Sequence, residues 1–266
     1  MTDFLFTNFV PSPARGRVLV FYAADSDFFP YGDKSDEALR ERLPRVAKML
    51  CDHVRPDVFV IACNTASTLA LAEIRAVLDI PVVGTVPAIK PAAAFSQTGT
   101  IGLLATPGTI RRAYTARLIN EFASGHRVIM HGSIELVRLA EAHARGEDVP
   151  IEAIAAAQAP LFEAPGGDQI DTVVLACTHF PLVRGQLIAS APHGVSYVDS
   201  GAAIARQTIR VLPHETEARG VGGSAYLTSS PEESPDLALV LRRYGFPDAH
   251  LVALDPIAMT SAPMAL

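Results

Sequence analysis

Basic clusters are nearly absent from this chain of 266 residues. Apart from the neighbouring pairs Arg111-Arg112 and Arg242-Arg243, which read as solvated helix faces, no Lys/Arg patch occurs, and the formal net charge is −6. No nucleic-acid partner is therefore expected. The opening residues MTDFLFTNFV carry an acidic residue and only a short apolar run. They read as neither a signal peptide nor a membrane span, so a cytoplasmic, reducing setting with no membrane partner is expected. Cysteine is scarce, with three in the chain, and in such a setting three cysteines do not make a disulfide framework. No Cys-x-x-Cys or His-x-x-x-His spacing occurs, which removes the usual signature of structural zinc, and no metal is expected. What is present is ordinary for a globular protein: 49% hydrophobic and 19% charged residues, enough chain for one large domain or two modest ones.

Apolar runs alternate with helical patterns. Strands are expected at RVLVFYA (17–23), VFVIAC (58–63), PVVGT (81–85), TIGLLA (100–105), RVIMHG (127–132), TVVLAC (172–177) and VSYVDS (195–200). Over 35–54, Ser35 is a candidate N-cap with two acids behind it, and Leu39, Leu43, Val46 and Leu50 recur at helical spacing. Residues 66–78, 110–122 and 134–145 show the same periodicity. Such alternation predicts an α/β fold of mainly parallel sheets covered by helices. Chemistry in such sheets gathers at the carboxyl ends of the strands.

Two of those ends carry a cysteine. VFVIACNTA (58–66) and TVVLACTHF (172–180) each run an apolar strand into Ala-Cys and then into small polar residues. A lone buried cysteine is most often a small hydrophobe. Two in matching contexts, Cys63 before Asn64-Thr65 and Cys177 before Thr178-His179, point to chemistry instead. Cys51, on a helical stretch beside Leu50, has no such context and is expected to be packing. A cysteine hydrolase would use Cys177 with His179, but residues i and i+2 on an extended strand end do not obviously hydrogen-bond, and Cys63 would have no role. Two thiols on opposite faces of one carbon would instead suit inversion of a stereocentre, one removing a proton while the other donates. A free thiol titrates near 8.5, and a helix N-terminus lowers that value.

The blocks FFPYGDKS (28–35), VIACNTAS (60–67), IPVVGTVPAIKPA (80–92), IGLLATPGTI (101–110), VVLACTHFPL (173–182) and YVDSGAAIA (197–205) resemble, in order and spacing, those of the bacterial glutamate racemases. YLTSSPEE (226–233) continues the likeness more weakly. The resemblance implies two pseudo-symmetric α/β domains with the active site in the cleft between them. The first would combine residues 1–92 with 202–266, and the second would span 93–201. It implies interconversion of L- and D-glutamate without a cofactor, in support of peptidoglycan synthesis, and it admits a homodimer.

By the same resemblance, Cys63 and Cys177 match the two catalytic bases, and His179 matches the partner of the second. Asn64, Thr65, Thr178 and His179 match residues that hold the substrate's polar groups, with Tyr31 and Gly32 in the loop beside them. Thr106 and Thr109 match the contacts to the substrate carboxylate. Asp25 matches an acid of the family's GDTxxxPYG block, and Glu141 fits another active-site acid, its other reading being a solvated helix glutamate. The family's opening DSGxGG block has no glycine-bearing counterpart here; FTNFVPS (6–12) takes its place, with Thr7 for the aspartate and Asn8 for the serine. Reduced activity would follow from that change, with Asp25 left to assist Cys63. Two other functions compete: a non-catalytic amino-acid-binding or regulatory descendant, and an aspartate racemase, against which PYGDKS and ACNTAS follow the glutamate pattern.

Overall fold

The structure, a computed structural model, describes residues 20–213, 223–230 and 235–253. The Thr7 and Asn8 assignments lie outside the described residues. The chain opens with β1 (Tyr22–Ala24), α1 (Asp36–Val54), β2 (Phe59–Ile61), α2 (Asn64–Val77), β3 (Val82–Gly84) and α3 (Ile89–Phe95). It continues through β4 (Thr100–Ala105), α4 (Pro107–Ile110), α5 (Ala113–Phe122), β5 (Arg127–Gly132), α6 (Glu135–Arg145), α7 (Ile151–Glu163) and β6 (Thr172–Ala176). The last elements are α8 (Arg184–Ala189), β7 (Ser196–Val198), α9 (Gly201–Val211), β8 (Ser224–Leu227), α10 (Pro235–Arg243) and β9 (Asp248–Leu251).

Among the described residues every strand pairing is parallel. One sheet has the order β5-β4-β6-β7, a second β1-β8-β9, and β2 pairs with β3. The late strands β8 and β9 join β1, so the chain returns to its first half after building the four-stranded sheet. The result is an α/β fold of parallel sheets, as the alternation of patterns predicts.

The sheet centres follow from composition. All six residues of β4 are buried, as suits a strand covered by helices on both faces. A Cβ on Gly102 would lie 2.8 Å from a Leu161 methyl, so the missing side chain lets α7 pack close against β4. In α1, the Ser35 hydroxyl accepts from the Ala38 N–H at 3.2 Å, Asp36 and Glu37 face the positive end of the helix, and Leu39, Leu43, Val46, Ala47 and Leu50 form the buried stripe. That stripe packs on Phe59, Ile61 and Cys63 at the end of β2.

The single helix expected over 110–122 is broken in two. Arg112 adopts an extended conformation between α4 and α5, and its carbonyl accepts from Thr115 and Ala116 as the second helix starts. The Arg111-Arg112 pair divides accordingly. Arg111 is exposed, but Arg112 is only 7% exposed, which corrects its reading as part of a solvated helix face. Periodicity alone could not reveal this, because the guanidinium is buried against the other half of the chain.

Candidate active site

Each cysteine ends a strand and begins a turn into a helix. Cys63 is extended and occupies the N-cap position of α2, where its Sγ accepts from the Ala66 N–H at 3.4 Å. Ser, Thr, Asp or Asn usually takes that place because a side-chain oxygen satisfies an orphan amide. Here a sulfur takes that place and meets the Ala66 amide. Cys63 is buried, as are Asn64, Thr65 and Ala66 behind it.

Cys177 follows β6 in the same way but has a side-chain partner. His179 has turned into helical backbone, φ −77° and ψ −33°, ahead of the short 3-10 turn at Phe180–Val183. The imidazole thereby folds back, and its Nδ1 lies 3.6 Å from Cys177 Sγ. The expectation that these residues would not meet therefore fails, because the chain ceases to be extended after Cys177. The other nitrogen, Nε2, sits 2.7 Å from Oε1 of Glu141, which α6 projects inward. Glu141 is 3% exposed, so it is not a solvated helix glutamate. Arg145, one turn along, approaches its Oε2 at 3.8 Å.

The electrostatics follow from burial and pairing. Burial alone would depress His179, but hydrogen bonds to Cys177 and Glu141 and their negative charges push it up to about 10. Burial would raise the Glu141 carboxyl, yet the His179 hydrogen bond and charge help hold it below the ordinary range. The pair is therefore an imidazolium–carboxylate at neutral pH, with the cation presented to Cys177. Cys51 shows the contrast. It is half-buried against the α1 core, and burial, with Asp52 nearby, pushes its thiol up to about 11.

A cluster of hydroxyls links the first turn of α2 to α4. The Oγ1 atoms of Thr65, Thr106 and Thr109 form a triangle with sides of 3.1, 3.2 and 3.1 Å, all buried. Thr106 caps α4 by accepting from the Thr109 N–H at 3.3 Å. The Tyr31–Gly32 loop lies directly on this cluster, and a Cβ on Gly32 would come within 2.9 Å of the Thr106 Cβ. Gly32→Ala should therefore separate the loop from the cluster and cost about 1–3 kcal/mol in urea unfolding; an unchanged midpoint would show that the loop has room to give.

Asp25 anchors the same loop from behind. It is 1% exposed, and its carboxylate accepts from Tyr31 Oη at 2.8 Å, Arg42 Nε at 2.7 Å, an Arg42 terminal nitrogen at 2.6 Å and Thr228 Oγ1 at 2.8 Å. No hydrogen bond connects it to Cys63 among the described residues. Tyr31 is fully buried, with its hydroxyl turned to Asp25.

Asn64, Cys177 and half-buried Thr178 line one pocket. Asn64 is 3% exposed, and its Oδ1 has no hydrogen-bond partner among the described residues, so an acceptor is left for a bound molecule or water. Thr85, Asp199 and Ser200 line the same cavity. YVDSGAAIA pointed to the last two without a role for either, and nothing in PVVGT singled out Thr85. The structure thus draws Asn64, Cys177 and Thr178 around one cavity, ties His179 and Glu141 to Cys177, and gathers Thr65, Thr106, Thr109 and Gly32 at the join. Asp25 stands one layer behind, through Tyr31. Among the described residues no cluster of three or more His, Cys, Asp or Glu could hold a metal, and no helix is long and apolar enough to cross a membrane.

A parallel α/β frame with twin strand-end thiols places the chain in a known class. The model of the Asp/Glu/hydantoin racemase family matches residues 11–208. A glutamate racemase of Sphingopyxis alaskensis is 48% identical over 227 residues, 85% of each chain. One of Escherichia coli O139:H28 is 45% identical over 227 residues, 85% of this chain and 79% of that one. Among solved structures, Escherichia coli glutamate racemase in complex with L-glutamate and the activator UDP-MurNAc-ala superposes with a TM-score of 0.82 at 42% identity, covering 89% of both chains. The chain belongs to the Asp/Glu/hydantoin racemase family and, within it, to the glutamate racemases.

Proposed function

We propose that this protein racemises glutamate by proton transfer between Cys63 and Cys177. The observation that carries the reading is the placement of two buried strand-end thiols, each with its own support: a helix N-terminus at Cys63 and an imidazolium–carboxylate pair at Cys177. In one direction the Cys177 thiolate takes the α-proton and becomes a thiol, and the electron pair passes into the α-carboxylate as an enediolate. The Cys63 thiol then protonates the other face of the carbon and becomes the thiolate. The reverse direction exchanges these roles. No covalent bond to sulfur forms, and the proton count balances.

The remaining residues supply the environment. An amino-acid α-proton is weakly acidic, so charge developing on the carboxylate needs preorganised donors in a site that excludes water. The Thr65, Thr106 and Thr109 hydroxyls and the helix N-termini behind them provide such donors. Asn64 Oδ1 suits the substrate ammonium. The product would feed peptidoglycan synthesis. The cysteines fall in separate halves if the domains are residues 1–92 with 202–266, and 93–201.

The deciding experiment follows L-glutamate with the protein in D2O. Loss of the α-proton signal and decay of optical rotation at comparable rates are expected, and aspartate should react much more slowly. Absence of exchange, or preference for aspartate, would reject the assignment. The Cys177–His179–Glu141 geometry also suits a thiol hydrolase. That reading leaves Cys63 without a function, and it would require a covalent acyl-cysteine trapped by an ester substrate.

Asp25 acts in this scheme as the anchor of the Tyr31–Gly32 loop. Asp25→Asn should lower stability by about 3 kcal/mol, since Arg42 loses its buried charged partner and keeps only the exposed Asp27 at 3.4 Å, and should raise KM for glutamate more than it lowers kcat. A fall in kcat with stability intact would instead put Asp25 in the proton relay to Cys63.

A further inference from the structure

Arg112 is a buried cation outside the set of residues considered above. It starts α5 in the half that carries Cys177, yet its side chain reaches into the half that carries Cys63. One terminal nitrogen donates to the Thr65 carbonyl at 3.3 Å, and the other donates to Asp36 Oδ1 at 2.8 Å. Its Nε is buried and has no hydrogen-bond partner among the described residues. A guanidinium held in this way gains little stability, because desolvation offsets much of the attraction and one donor is left unmet. Its contribution is better sought in geometry.

The contacts form a continuous chain. Thr65 lies in the first turn of α2, the turn whose Ala66 N–H donates to Cys63 Sγ. The Thr65 hydroxyl is held by Thr106 and Thr109, and its carbonyl by Arg112. All three partners come from the α4–α5 segment, and Asp36 ties the same guanidinium to the first turn of α1. The approach is close: a Cβ on Gly108 would lie 3.0 Å from the Gly32 carbonyl and 3.5 Å from an Arg112 terminal nitrogen. We infer that Arg112 is a positioning residue for Cys63, fixing the first turn of α2 relative to the half that holds Cys177. The inference rests on the two-thiol racemase reading.

The test compares the wild type with Arg112→Ala, Arg112→Lys and Asp36→Asn, using L- and D-glutamate with hydrogen or deuterium at the α-carbon. A misplacement of the order of 1 Å can cost about 100-fold. Arg112→Ala should lower kcat by about 10- to 100-fold with less change in KM. The distinguishing readout is the primary isotope effect: it should rise in the one direction where Cys63 abstracts the proton and fall in the other, where Cys63 reprotonates and abstraction by Cys177 limits the rate less. Arg112→Lys keeps the charge but loses the two-pronged reach, so it should recover little of the rate. Asp36→Asn, at an exposed side chain, should fold normally and show the same asymmetry more weakly, which keeps the idea testable if Arg112→Ala is unstable. Equal isotope effects in both directions, or wild-type rates in Arg112→Lys and Asp36→Asn, would overturn the assignment. A wild-type protein that exchanges no α-proton would reject the racemase reading and this inference together, whereas normal wild-type turnover with unaffected variants would reject only the inference.

Discussion

Replacing either Cys63 or Cys177 by alanine is expected to abolish racemisation in both directions. In the proposed scheme each turnover needs one thiolate to take a proton and one thiol to return one, so loss of either breaks the cycle whichever enantiomer is supplied. General acid–base catalysis by one positioned group contributes about 10²–10⁴-fold. The chiral assay should therefore fall by at least that factor with each substitution. Both variants should remain folded, since removing one buried sulfur costs little beside a large core truncation. Cys51→Ala is the control: its thiol is held protonated by burial at about 11 and sits against the α1 core, so rates should be unchanged. If Cys177→Ala still racemised at the wild-type rate, the symmetric scheme would fail and a one-base mechanism would replace it.

Glu141→Gln carries the second large effect. Glu141 and the Cys177 sulfur together hold His179 charged in spite of its burial. With a neutral amide in its place, desolvation gains weight and the imidazole titrates lower. Cys177 then faces a neutral ring in place of an imidazolium, and the proposed proton transfer there loses its charged partner. A loss of about 10²-fold in kcat is expected, with little change at Cys63. The sign of the stability effect follows from the same shifts. His179 is raised from 6.5 to about 10 in the folded state, so its contribution is full below about pH 6.5 and disappears as pH climbs through about 10. Glu141 is depressed below its ordinary 4.5, so its contribution is full above that value and is lost as pH falls through its folded value. The stability gap between wild type and Glu141→Gln should thus be widest between about pH 4.5 and 6.5 and should close above about 10. Urea unfolding across that range measures it, and a gap independent of pH would show that the pair is not charged.

Much of the architecture could be read from patterns in the chain. TIGLLA and RVIMHG are strands over their full quoted length, and Ser35 caps the helix that it was expected to cap. These elements are legible because each is decided locally, by apolar period and by a side chain within three residues. The strand expected at 58–63 is shorter in the structure, Phe59–Ile61, and of the one expected at 17–23 the described residues 20 and 21 lie outside β1, Tyr22–Ala24. Ladder pairing sets such ends, and pairing depends on a neighbour distant in sequence. The paired Ala-Cys blocks were equally plain, since twin motifs at two strand ends need only the parallel α/β rule to become a site.

The sequence by itself determined the alternation of strands and helices, the two strand-end thiols, and the polar residues that follow them at helix N-termini. Only the tertiary structure decided what those residues touch. The burial of Glu141 and its bond to His179 join α6 to the end of β6, some 38 residues later in the chain. Asp25 is drawn to Arg42, Tyr31 and Thr228, the last 203 residues away. Arg112 looks in sequence like any arginine beside another on a helix, and folding buries it against Thr65 and Asp36. The physical reason is the same in each case. Period and capping are properties of a few neighbouring residues, whereas the pairing of a buried charge is set by which partner the packed chain brings within hydrogen-bond reach.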